Sequence, residues 1–349
     1  MNSKYFVIVL ICAVFFSLIY LFKPFLLVIA IAILMSVATA NIHNAIYLKI
    51  KRKYFTPFIM TGLILMLFFA PLVYAGFSFA NELKQLDINT LQAGLMKIKN
   101  MEFNLPNNLS FIEPKIKEFL NEIDINHLGK DVLNYASNFT KSGAKFIIDL
   151  ILITIFYFFA NYYGLELLNY FRSLMPIQKD EVENVLKEVS NVMSVVFYSV
   201  IFNAVFQGIL FGCFVSFYNY DGLLMGILYA ISSLIPIIGG ALLWLPVSLL
   251  EYSQGNTTNA IVIALYTIII ISGIADTLIK PFIIKWINEK FLKTSVKINE
   301  LLIFFAMIAG ISTFGFWGVI LGPAILALFL SVVKLYLLII EREVNTKNS

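Results

Sequence analysis

The sequence predicts an all-α polytopic membrane protein: about eight hydrophobic segments, two of them broken by Pro and Gly into re-entrant helical hairpins, and a small helical extracytoplasmic domain. Three observations carry that expectation. Of the 349 residues, 60% are hydrophobic and 13% charged, against about 45–50% and ~25% in a soluble domain, and the mean hydropathy is +0.87. Apolar runs near the ~17–25 residues that span a bilayer recur along almost the whole chain. A single long polar insert, residues 81–142, interrupts them.

Taken in order, Tyr5–Phe22 is apolar and is followed by Lys23-Pro24 rather than by small residues suited to cleavage, so it reads as an anchor and not a leader. A second run reaches Ala40, and others follow at Pro57–Phe79, Ala144–Tyr163, Phe197–Phe217, Leu223–Leu250, Ala260–Ile279 and Leu301–Ile340. In the insert, Phe111, Ile116, Phe119, Leu120 and Ile123 recur at helical spacing, which favours short amphipathic helices. Around Phe171–Met193, Pro176 and the acids after Lys179 precede an apolar stripe of Val182, Val185, Leu186, Val189 and Met193, the signature of an amphipathic helix leading into a span. These readings divide the chain into helices 1–3 (1–80), the extracytoplasmic insert (81–142) and a second transmembrane domain (143–349) with broken segments at 223–250 and 301–340.

Lys49, Lys51, Arg52 and Lys53 lie between the second and third segments, so that loop is expected in the cytoplasm. The N-terminus then lies inside and the insert outside. A plain crossing by 223–250 would put Lys280, Lys285, Lys290, Lys293 and Lys297 outside, against the same bias. The segment contains Pro236, Gly239, Gly240 and Pro246, which weaken a helix at its middle, and entry and exit on one face resolves the conflict. As one helix, Leu301–Ile340 would measure about 60 Å at 1.5 Å per residue, twice the hydrocarbon thickness. It is expected to break near Gly310, Gly315, Gly318, Gly322 and Pro323. Interrupted apolar segments of this kind point to a transporter's substrate site, because half-helix ends present unpaired N–H and C=O groups; close helix packing is the competing use of the glycines.

Charges inside apolar runs are functional candidates. Asp276 and Lys280 stand four apart and can share a helix face, with Pro281 next in the chain. Asp149, Glu251 and Glu300 are the other carboxylates a cation or proton exchanger could use. Asp149 and Asp276 fall at different membrane depths, which argues against an aspartyl protease dyad, and the chain has no HExxH, GxSxG or P-loop motif. No enzymatic activity, metal site or cofactor is expected. Cys12 and Cys213 sit in apolar runs and read as small hydrophobes. The net charge of +4 is dispersed over many loops, which gives nucleic-acid binding little support.

Three stretches together resemble the bacterial autoinducer-2 exporter family of PerM-like permeases. They are Ser233-Leu234-Ile235-Pro236-Ile237-Ile238-Gly239-Gly240 with Trp244-Leu245-Pro246, then Asp276 with Lys280-Pro281, and Phe314-Gly315-Phe316-Trp317-Gly318 through Gly322-Pro323. The similarity covers nearly the whole chain. Gly240 and Lys280 depart from the residues common in the family, and Asn299-Glu300 stands where members often carry a His-Pro pair. The resemblance implies a secondary transporter in the bacterial cytoplasmic (inner) membrane with both termini inside. It implies export of a small polar signal or metabolite by alternating access coupled to an ion gradient, or Na⁺(Li⁺)/H⁺ antiport. Its expected partners are the lipid bilayer and a small polar solute or Na⁺ and H⁺, with a homo-oligomer left open. A membrane scaffold with an outer partner-binding domain is the reading from a different class.

Overall fold

The computed structural model describes residues 3–85, 128–174, 179–236, 238–279, 282, 285 and 300–348. These residues are helical with short connections, and no strand occurs among them. The helices are α1 (Ser3–Phe22), α2 (Leu26–Ala38), α3 (Ala40–Ile50), α4 (Phe55–Gln85), α5 (Leu128–Leu174) and α6 (Lys179–Val215). They continue with α7 (Gly222–Ser233), α8 (Ala241–Ser253), α9 (Thr257–Tyr266), α10 (Glu300–Phe314) and α11 (Gly318–Asn348). A π-helical stretch, Thr267–Ile279, extends α9, and single 3₁₀ turns occupy Ser216–Tyr218 and Gly315–Trp317.

Among the described residues, six helical stretches are long and apolar enough to cross a membrane, or seven if the bent pair α2–α3 is one span. The expected segment 223–250 is absent from that set because it divides into α7 and α8, each shorter than a spanning helix. Residues 128–142, at the end of the polar insert, form the first turns of α5. The apolar stripe from Phe111 to Ile123 lies outside the described residues. The stripe beginning at Val182 belongs to α6, which runs unbroken from Lys179 into the apolar sequence.

The chain forms two compact units. In the first (Met1–Leu65, Ile147–Phe197 and Phe291–Ser349), Ile31, Ala32 and Met35 of α2, Ile153 and Tyr157 of α5, Val192 and Met193 of α6, and Ala324 and Ala327 of α11 are buried. Helix α2 turns by 60° into α3 at Thr39. Polar groups from the neighbouring helices hold this bend: Thr39 Oγ1 and the Tyr157 hydroxyl are 2.7 Å apart, and Ser190 and Ser194 donate to the Val37 and Ala38 carbonyls at 3.0 and 2.7 Å. Backbone groups released by a bend cost free energy in an apolar medium unless they are paired in this way. At the end of α5, the exposed Lys53–Glu166 pair at 2.6 Å joins the α3–α4 link to that helix.

In the second unit (Met66–Phe146 and Tyr198–Lys290), Phe211, Val215, Tyr229, Val247, Ile263 and Ile271 form the core. Phe211 stacks on Tyr229 with centroids 4.5 Å apart, and Phe214 on Tyr266 at 3.7 Å. Such pairs add about 0.5–1.5 kcal/mol beyond the area they bury. Helices α6 and α7 approach in antiparallel register through glycine. A Cβ on Gly212 would overlap the Gly222 carbonyl, and one on Gly208 the Gly226 carbonyl. This contact fixes where the first broken segment begins.

Candidate functional site

Asn219 at φ 63 turns the chain, and Asp221 then caps α7 by accepting from the Leu223 and Leu224 amides at 3.0 Å each. Its second oxygen accepts from the Tyr74 hydroxyl of α4 at 3.0 Å. The cap matters because the first amides of a helix have no partner within it.

Helix α7 ends at Ser233, and the turn through Pro236, Gly239 and Gly240 closes on itself. The Gly239 amide donates to the Ile235 carbonyl at 3.0 Å and the Ile238 amide to the Pro236 carbonyl at 2.9 Å. A side chain on Gly239 would run into the carbonyls of Ser232 and Ile235; one on Gly240 would meet the Tyr229 hydroxyl. Pro246 lies inside α8 and cannot donate to the carbonyl four residues back. Ser232 and Ser233 donate to the Tyr229 and Ala230 carbonyls within their own helix, so their donors are occupied.

Helix α8 ends in a Schellman motif: Gly255 adopts φ 93, its amide donates to the Tyr252 carbonyl at 3.0 Å, and the Asn256 amide reaches the Glu251 carbonyl at 2.9 Å. The same fold of chain surrounds the Glu251 side chain, which is 4% exposed. One carboxylate oxygen accepts from the Tyr220 hydroxyl at 2.9 Å, the other from the side-chain amides of Asn256 and Asn259 at 3.1 and 3.0 Å. Burial first, and then the Glu251 carboxylate, hold the Tyr220 hydroxyl well above the ordinary phenol range, so it remains a donor. One carboxylate therefore ties together the link before α7, the end of α8 and the start of α9.

The second broken segment is built differently. Helices α10 and α11 lie antiparallel, with Gly310 against Gly318 and Ala306 against Gly322. A Cβ on Gly318 would overlap the backbone of Gly310 and Ile311, and one on Gly322 the Ala306 carbonyl. The break falls at Gly315–Trp317, where Gly315 takes φ 63. Gly310, Gly318 and Gly322 serve the helix contact, and Pro323 sits inside α11. Thr313 donates to the Ala309 carbonyl at 2.9 Å.

Pro236, Gly239, Gly240 and Pro246 thus share one helix–turn–helix in the second unit, and Gly315, Gly318, Gly322 and Pro323 share another in the first. Asp276 is on the π-helical stretch after α9, a helix form that recurs at functional sites. The side chain of Asp276, and Lys280 and Pro281 entirely, lie outside what the structure describes, so the proposed ion pair does too. Asp149 is partly buried on α5. The bracket around Glu251 and the bend at Thr39 were not singled out by the motifs. A signal for the former was present: no Lys, Arg or His occurs from Val189 to Ile279, where Asp221, Glu251 and Asp276 are the carboxylates.

The arrangement has known counterparts in sequence. The model of the AI-2E family transporters matches residues 6–338. The chain belongs to this family. A candidate transport protein of Helicobacter pylori (strain ATCC 700392 / 26695) is 31% identical over 339 residues, covering 96% of each chain. The corresponding protein of strain J99 is 31% identical over 342 residues with the same coverage. One from Aquifex aeolicus is 25% identical over 202 residues, 57% of this chain and 53% of its own. The family and these relatives make the chain a multi-pass membrane transporter acting on a small solute.

Proposed function

We propose that this AI-2E family member is an ion-gradient-coupled secondary transporter that exports a small polar signal or metabolite by alternating access. The observation that carries this reading is the pair of apolar segments broken at Pro236–Gly240 and Gly315–Trp317, one in each compact unit. Non-helical backbone at membrane depth is tolerated where protein or a watery cavity covers it, and transporters use such breaks to form substrate sites. In this reading both termini lie in the cytoplasm, residues 81–142 lie outside, and the 219–221 and 254–259 links face the outer side of the inner membrane. Pro236, Gly239, Gly240, Pro246, Gly315, Gly318, Gly322 and Pro323 shape the pathway. Asp276, with Lys280 and Pro281, lies at its cytoplasmic base.

Antiport of Na⁺ or Li⁺ against H⁺ is the second reading, and the buried carboxylate of Glu251 favours it over uncoupled flux. Both are tested by reconstituting the full chain into liposomes, with parallel assays for efflux of polyol-like signal molecules and for Na⁺-dependent proton movement. Solute flux driven by an imposed ion gradient supports export. Na⁺–proton exchange without solute flux assigns the antiporter. Neither activity, in protein that inserts and stays folded, leaves the scaffold reading.

A further inference from the structure

We propose that Glu251 is a proton-binding site at the end of the α7–α8 element, and that taking up the proton rearranges the bracket that ties α7, α8 and α9 together. A buried charge needs a partner, a counter-ion or neutralisation. Glu251 is 4% exposed, its three bonding partners are a phenol and two amides, and among the described residues no cation pairs with it. From Val189 to Ile279 the sequence offers no Lys, Arg or His that could serve. Among the described residues, the titratable groups on the same rim include Tyr220, held in its neutral form, Tyr252, and Asp221, whose oxygens are bound by the Tyr74 hydroxyl and by the α7 amides. Among the described residues no cation reaches Glu251, so a proton from solvent is the charge that can balance it when its bonds are perturbed.

A second observation shows what the protonated form would use. Ser248 lies three residues before Glu251, on the same face of α8. It is 8% exposed, and its Oγ is buried with no hydrogen-bond partner among the described residues. Leaving such an oxygen unpaired is unfavourable in a buried site. In the ionised state all three groups around the carboxylate donate to it. When a proton from water adds to one carboxylate oxygen, that oxygen becomes a donor and needs an acceptor. Ser248 Oγ is one such acceptor; the amide oxygen of Asn256 or Asn259, after rotation of the amide, is another. With Ser248 as acceptor, a proton on the oxygen that Tyr220 binds loosens the link before α7, whereas rotation of an Asn amide releases the Asn256–Asn259 stretch from α8. Return of the proton to water restores all three bonds, so proton occupancy and the closure of this element are linked in both directions.

The role rests on the coupled-transport reading above, but the measurement does not. Infrared difference spectra of the full chain in phospholipid bilayers, recorded as the pH is lowered, report the C=O stretch of a newly protonated carboxylic acid. The wild-type protein should gain such a band, Glu251→Gln should lose it, and Ser248→Ala and Tyr220→Phe should shift its frequency. An acid band unchanged in Glu251→Gln, or no acid band in the wild type, would overturn the assignment. Should Glu251→Gln fail to fold, Ser248→Ala and Tyr220→Phe decide together: a band unshifted in both variants overturns the proposal. A failure of transport itself would appear in the liposome assays with this spectrum intact.

Discussion

The two broken segments look alike in sequence, each an apolar stretch interrupted by Gly and Pro, yet they are held together in different ways. In 301–340 the glycines lie between the two arms: Gly310 meets Gly318, and Ala306 meets Gly322, so α10 and α11 close on each other. In 223–250 the glycines of α7, Gly222 and Gly226, meet α6, while Gly239 and Gly240 act at the tip. The far end of that element is fastened by the polar bracket on Glu251. Backbone contact through glycine is steric and independent of protonation, whereas a carboxylate bracket responds to it. The difference teaches that a Pro/Gly break does not by itself tell a hinge from a packed pair, and that the partner of each glycine decides.

The largest effect is expected where glycine separates two backbones. Gly318→Ala should lower stability by about 3 kcal/mol, at the upper end for overpacking, because the atoms in the way are the backbone of Gly310 and Ile311 and cannot rotate aside. Gly212→Ala should cost a comparable amount through the Gly222 carbonyl. Thermal unfolding of the detergent-purified variants, followed by size-exclusion chromatography, checks both. A mild effect at Gly318 together with a severe one at Gly212 would break the comparison, since α10–α11 would then not depend on close contact.

The next contrast is within one tip. Gly239→Ala places a methyl group against the carbonyls of Ser232 and Ile235, which belong to the turn itself, and should cost about 2 kcal/mol. Gly240→Ala meets the Tyr229 hydroxyl first, the end of a side chain rather than backbone, and should cost less than about 1.5 kcal/mol. The same unfolding measurement ranks them, and a reversed order would show that Tyr229, stacked on Phe211, is the less yielding partner.

Much of this architecture was legible in the chain. Apolar runs of bilayer length announced the spanning helices, and Pro236–Gly240 and Gly315 marked the two breaks, because residues that weaken helices leave a compositional trace. The bend at Thr39 left none. It contains neither Gly nor Pro and is sustained by Tyr157, Ser190 and Ser194, partners more than a hundred positions away. Asp276 stands out in the sequence through its spacing to Lys280, a local signal. Glu251 is less conspicuous in the sequence because its partners Tyr220 and Asn259 acquire meaning only once the chain has turned at Asn219 and Gly255. Likewise, glycines that face another helix and glycines that shape a turn read identically until their neighbours are known.

The smallest of these effects isolates backbone conformation from space. Gly315 has nothing within 4 Å of where a Cβ would stand, yet its φ of 63 lies in the left-handed region that ordinary L-residues populate at a cost. Gly239, by contrast, carries no positive φ and is required for room. Gly315→Ala should therefore cost about 1 kcal/mol through strain alone. Gly315→Asn should cost less, despite its larger side chain, because Asn visits this region more readily and the site is open. The order inverts at Gly239, where Asn should be worse than Ala because its added atoms meet carbonyls. Unfolding midpoints of the four variants test the pattern. Equal penalties for Ala and Asn at Gly315 would mean that the tip of α10–α11 is limited by space after all, and the distinction between the two breaks would then rest on their arms.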